Sequence, residues 1–145
     1  MDKFFYQAKG GKWQVAIIIE MEYCFCDDVI ATDNLIKAAN QVYFENLANS
    51  ASKIALTEEE SAWFCYGLQL CASYLVKIQK ESKNILFRLH NIHFSDCCIQ
   101  KEAFAHAAIQ WVEDTFGIIM PKVVVSFDNT LGYHGMYCFD FSQFL

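Results

Sequence analysis

"WQVAIIIEMEYCF", residues 13–25, alternates with a period of two. Trp13, Val15, Ile17, Ile19, Met21, Tyr23 and Phe25 occupy the odd positions, while Gln14, Glu20 and Glu22 fall between them. Successive side chains of a strand point to opposite faces, so this pattern predicts one long strand with a single buried face. Ahead of it, "FFYQAKGGKW" (4–13) holds two short runs around Lys9-Gly10-Gly11, which predicts an N-terminal hairpin.

Working outward, the period changes over residues 27–56, "DDVIATDNLIKAANQVYFENLANSASKIAL". Leu35, Ala38, Ala39, Val42 and Leu47 recur at helical spacing, with Asn49 to Ser52 as a break, so a helix is expected to follow the strand. Residues 57–80, "TEEESAWFCYGLQLCASYLVKIQK", read as a central helix. Thr57 and Glu60 form a capping box, three glutamates sit at the positive end of the dipole with Lys77 and Lys80 at the other, and Trp63, Phe64, Leu68, Cys71, Leu75 and Ile78 make a broad apolar stripe.

"NILFRLHNIHF" (84–94) returns to strand. "SDCCIQKEAFAHAAIQWVEDTFG" (95–117) reads as a helix entered through Ser95 or Asp96, with Phe104, Ala107, Ala108, Trp111 and Phe116 inward and Gly117 as its stop. Beyond Pro121, Val123, Val125 and Phe127 alternate against Tyr137, Phe139 and Phe141 as a last hairpin. The resulting order, β-β-α-α-β-α-β-β, is an α+β domain spanning residues 1–145, with about three helices on one face of a mostly antiparallel sheet. A shift of 69 positions lays Phe25 on Phe94, Asp27 on Asp96, Leu35 on Phe104 and Leu47 on Phe116, an echo of strand, acidic cap and helix in both segments.

Composition bounds the function. An apolar share of 54% with a single Pro argues for a packed core rather than disorder. Lys9, Lys12, Glu20 and Glu22 interrupt the N-terminal region, which therefore lacks the apolar core of an export signal, and no apolar run approaches a membrane span. Seven cysteines, an odd number, with Cys65 and Cys71 inside a helical pattern, point to reduced thiols and a cytoplasmic protein without a disulfide framework. The formal net charge is −6 and Arg88 is the one arginine, which disfavours nucleic acid and suits a basic protein partner.

Few groups suggest chemistry. His90, His93, Cys97, Cys98, Cys24 and Cys26 are potential zinc ligands, but three residues along a regular strand turn His90 and His93 to opposite faces, so no metal is expected. Cys97 or Cys98 at the start of the last helix could act as a nucleophile with His134 or His106 as base. Glu20 and Glu22 share a strand face and could pair as carboxylates. No phosphate loop, nucleophile elbow or zinc-protease motif is present, and no cofactor is expected. The polar stretch "FDNTLGYHGMYCFDF" (127–141) is crowded with turn formers, and its exposed tip, Leu131 to His134, reads as a contact surface.

A compact acidic α+β chain of this size, rich in Phe, Asn and Lys, without an enzyme signature and ending in "VVVSFDNTLGYHGMYCFDF" (123–141), resembles the small immunity proteins of bacterial contact-dependent and polymorphic toxin systems. The resemblance implies a cytoplasmic inhibitor that neutralises one cognate toxin domain, commonly a nuclease with a basic active-site cleft. The residues expected to meet such a partner, read from charge and exposure, are Glu20, Glu22, Asp27, Asp28, Asp128, Tyr133 and His134. A secretion chaperone and a small cysteine- or carboxylate-dependent enzyme are the alternative readings.

Overall fold

The computed structural model describes residues 1–48, 56–78 and 83–145. Strands β1 (Phe4–Ala8) and β2 (Val15–Cys26) form the expected N-terminal hairpin, with Tyr6 opposite Ile17 and Ala8 opposite Val15. Val15, Ile17 and Ile19 are fully buried while Ala16 and Glu22 are exposed, so the period of two separates an inner from an outer face.

The helix expected within residues 27–47 is instead a second hairpin, β3 (Leu35–Ala39) and β4 (Val42–Asn46). Gln41 reverses the chain in the left-handed region at φ 66°. Ala38 and Ala39 satisfy helical spacing yet bring little apolar surface to a helix face. Val42, Tyr43 and Phe44 are β-branched or aromatic and fit a pleated surface. Phe44 is fully buried and stacks on Phe64, ring centroids 5.0 Å apart. The Asn49 to Ser52 break lies outside the described residues. The internal echo also ends here, since Leu35 to Leu47 is a hairpin and the positions matched to it, Phe104 to Phe116, are helical.

Helix α1 (Glu58–Ile78) opens on the capping box: the Glu60 N–H donates to Thr57 Oγ1 at 3.1 Å and the Thr57 N–H to Glu60 Oε1 at 2.8 Å. Phe64, Leu68, Cys71 and Leu75 are fully buried along its inner stripe. Strand β5 (Asn84–Phe94) then inserts between β2 and β4, antiparallel to β2 and parallel to β4. A parallel neighbour needs a crossover, which α1 supplies. The five-stranded sheet is therefore mixed, in the order β1-β2-β5-β4-β3.

Helix α2 (Glu102–Phe116) lies beside α1 on the inner face, where Phe104 meets Phe94 and Trp111 meets Phe87. Two helices thus cover the sheet among the described residues, instead of about three. Helix α2 also starts later than expected. Ser95 to Cys98 is a separate turn closed by the Cys98 N–H to the Ser95 carbonyl at 3.1 Å, and Lys101 holds the cap position without capping the helix through its side chain, which reaches Glu59 instead. The stop is as expected, with Gly117 at φ 63° donating its N–H to the Glu113 carbonyl at 2.9 Å.

Strands β6 (Val124–Asp128) and β7 (Met136–Asp140) make a separate two-stranded sheet, followed by a short 3-10 turn, Ser142–Phe144. Phe127 and Tyr137, opposite each other, hold Trp13 edge-on at 6.3 and 5.1 Å between ring centroids, and Trp13 Nε1 donates to the Gly135 carbonyl at 3.1 Å. Gln100 clasps Tyr137 through both backbone groups, at 2.7 and 2.8 Å. This hairpin is thereby fixed to the β1–β2 turn and the entry to α2. On the outer face of the large sheet Leu86 and Glu45 are buried, and Thr32 from the β2–β3 connection reaches Glu45.

Candidate partner-binding site

The alternation of β5 breaks once. Glu20 pairs with Asn91 and Met21 with Leu89, which leaves His90 as an extra residue in a β-bulge. Ile85, Phe87 and Leu89 point inward before the bulge and Ile92 after it. The expected opposition of His90 and His93 is therefore corrected: the bulge shifts the phase by one and places both on the outer face, with Glu20, Glu22 and Arg88. No group of three or more His, Cys, Asp or Glu is gathered for a metal ion among the described residues.

Arg88 organises this face. Its Nε donates to Glu45 Oε1 at 3.1 Å, and its Nη1 lies 3.8 Å from Glu22 Oε1. Thr32 Oγ1 also donates to Glu45, at 3.0 Å. His90 Nε2 is 3.2 Å from Glu22 Oε1, close enough for an ion pair when protonated, although the pair is not aligned as a hydrogen bond. Glu22 is thus engaged with a cation rather than held against Glu20 as a carboxylate dyad.

The distal half of β2 is where charge and exposed aromatic surface meet. Strand β1 pairs only with Val15–Ile19, so Glu20–Cys26 has β5 along one edge and no strand along the other among the described residues. Tyr23 and Phe25 sit on the inner face just where α2 ends. Their rings are 5.6 Å apart, Tyr23 is 4.6 Å from Phe116, and each is 40% exposed. Beside Tyr23 lies a cleft of about 420 Å³ whose lining includes Asp2, Glu22 and Asp114 together with Lys3. Glu113 lines the adjoining hollow, and partial burial raises its carboxyl above the ordinary value. Asp27 and Asp28 carry the acidic margin past the strand end, where Asp27 Oδ1 accepts the Lys83 N–H at 3.3 Å.

Four of the residues singled out in the sequence, Glu20, Glu22, Asp27 and Asp28, therefore belong to one strand segment and its exit. Asp2, Asp114, Tyr23 and Phe25 complete the site and were not singled out. Element lengths carry a signal for the aromatic pair. A 15-residue helix spans about 22 Å and a 12-residue strand about 40 Å, so the strand outruns the helix covering it.

The other three expected residues lie at the opposite end of β2, against the β1–β2 turn. Asp128 Oδ1 accepts the Thr130 hydroxyl at 2.6 Å and the Thr130 N–H at 2.8 Å, which hold the carboxyl below its usual range and close the turn. Tyr133 is fully exposed at the tip. The length of β2 separates this tip from Asp27 by roughly 40 Å, so the two groups do not form one patch.

Tyr133 and His134 line a groove of about 490 Å³ together with Cys97 and Cys98. No hydrogen bond joins His134 to either thiol among the described residues. The turn that holds the cysteines precedes α2 by several residues, so the expected helix-dipole activation is absent. His106 is not placed to serve as their base. Its Nδ1 is bonded to the Tyr6 hydroxyl at 2.8 Å and its Nε2 to Gln110 at 3.2 Å, and burial pushes its pKa down to about 4.

Comparison with known proteins finds no matching family model, no matching relative and no matching solved structure. Among the described residues no helix is long and apolar enough to cross a membrane.

Proposed function

We propose that this protein is a cytoplasmic protein-binding inhibitor of the immunity type, which docks a basic toxin domain and occludes its active site. The reading is carried by one juxtaposition: the half-exposed Tyr23–Phe25 pair, backed by Phe116, beside a cleft rimmed by Asp2, Glu22 and Asp114. Aromatic anchors within a polar rim concentrate binding energy, and a rim on which Asp2, Glu22 and Asp114 outweigh the single Lys3 speeds encounter with a basic partner. The open edge of β2 adds backbone groups that an extended partner segment can pair with.

The test is capture followed by inhibition. The protein is used to retrieve partners from its host, and the retrieved protein is assayed while the inhibitor is titrated in. The expected outcome is a basic enzyme domain whose activity falls to zero at one inhibitor per toxin. A partner that stays fully active in the complex overturns the reading.

A further inference from the structure

We propose that Cys97 and Cys98 form a vicinal dithiol that exchanges with low-molecular-weight disulfides, Cys97 attacking and Cys98 resolving, at the groove beneath Tyr133 and His134. The two Sγ atoms are 3.6 Å apart and Ser95 Oγ is 3.1 Å from Cys97 Sγ. Cys97 is exposed. The hydrogen bonds from Ser95 and Cys98 hold the Cys97 thiol below its ordinary value, and its bond to Cys97 raises that of Cys98. This division suits an attacking and a resolving thiol. By contrast, Cys65 and Cys71 are buried in α1, and desolvation raises both, Cys65 to about 12.

The groove fits the co-reactant. Its lining combines apolar side chains, Trp13, Ile99 and Met136, with Lys12, whose ammonium suits a carboxylate of a small peptide disulfide. In the first step the Cys97 thiolate attacks one sulfur of the disulfide, forming a mixed disulfide and expelling a thiolate that takes up a proton. Cys98 then attacks the Cys97 sulfur, closing an intramolecular bond and releasing the second small thiol. Two protein thiols lose two electrons, and the small disulfide gains them.

The product is built to be reversible. Consecutive Cα atoms are about 3.8 Å apart across a trans peptide, whereas disulfides usually join Cα atoms at about 4.4–6.8 Å. The ring is therefore strained, and strained, exposed disulfides are the easily reduced ones.

The experiment exposes the full-length reduced protein to glutathione disulfide and follows mass and cysteine connectivity. The expected wild-type product lacks two hydrogens, maps to the Cys97–Cys98 peptide and returns to the dithiol with dithiothreitol. Cys98→Ser accumulates one glutathione on Cys97, and Cys97→Ser slows reaction at this peptide by at least about tenfold. The wild-type connectivity is readable without either variant. First reaction at Cys24, Cys26 or Cys138, or a wild-type adduct that never closes, overturns the proposal.

Discussion

Tyr6 and His106, a hundred positions apart in the chain, are bonded through the Tyr6 hydroxyl and His106 Nδ1 at 2.8 Å, tying β1 to α2 beneath the surface. Gln110 Nε2 sits 3.2 Å from the other ring nitrogen, so a neutral ring meets both neighbours as hydrogen-bond partners. Burial lowers the His106 pKa from 6.5 to about 4, and in that interval the unfolded chain binds the proton that the folded chain refuses. Stability therefore rises with pH across the window. The contribution is present in full above about 6.5 and is lost as pH falls toward 4, by roughly 3 kcal/mol at most. Chemical denaturation between pH 4 and 7 is expected to show this slope, and His106→Gln to flatten it.

A second prediction concerns the α1 cap. Thr57→Ala leaves the Glu60 N–H without its side-chain acceptor and removes one half of the reciprocal pair. The unfolding midpoint should fall by an amount equivalent to about 0.5–2 kcal/mol with an unchanged denaturant slope. An unchanged midpoint shows that the box contributes nothing.

The third prediction uses Gly67, where α1 meets α2. A Cβ built there lies 2.3 Å from the Ala105 carbonyl oxygen and 2.9 Å from the Ala105 Cα. Those are backbone atoms of a packed helix and cannot swing aside. Gly67→Ala gains helix propensity of about 1 kcal/mol but forces the helices apart, at a cost of about 1–3 kcal/mol or more. Net destabilisation is expected. A more stable variant would mean that the crossing is looser than the structure has it.

Gly67 also illustrates what could be read from sequence. Its neighbours fix an amphipathic helix, but nothing local tells that another backbone approaches there. The same limit explains β3 and β4: Leu35, Ala38, Ala39 and Val42 fit a helix face, and only pairing of β3 with β4 and of β4 with β5 makes their extended form the better one. The bulge at His90 is more legible. The apolar positions Ile85, Phe87 and Leu89 give way to Ile92 and Phe94, a change of phase visible in the letters. The acidic members of the candidate site were readable where they share β2. Asp2 and Asp114 join them only through tertiary folding.

A fourth prediction isolates Arg88. Glu45 retains only 12% side-chain exposure, and Arg88→Met leaves it with Thr32 as its remaining polar partner. Removing one member of a partly buried ion pair strands the other, so a loss of about 1–3 kcal/mol is expected. Arg88→Met combined with Glu45→Gln should recover part of that loss. No recovery would show that Glu45 is solvated well enough to stand alone.

The last prediction addresses the docking surface. If the proposed complex forms, charge along β2 should speed encounter through a long-range field, which salt screens over a Debye length of about 8 Å at physiological ionic strength, while aromatic contacts should set how long the complex lasts. Asp28 and Asp114 form no salt bridge within the described residues, so reversing them tests the field with little disturbance of the fold. With Asp28→Lys and Asp114→Lys together, the on-rate for the captured partner should fall at least about tenfold at low salt, and the off-rate should change less. Wild-type protein at high salt should show the same pattern. Tyr23→Ala should instead raise the off-rate, because it removes an anchor without altering charge. Asp128→Lys, on the hairpin packed against Trp13 at the other end of the strand from Asp28, is the control and should leave both rates near those of the wild type. If Asp128→Lys slows association while the β2 reversals do not, the partner binds at the β6–β7 tip and the acidic end of β2 is not the docking site.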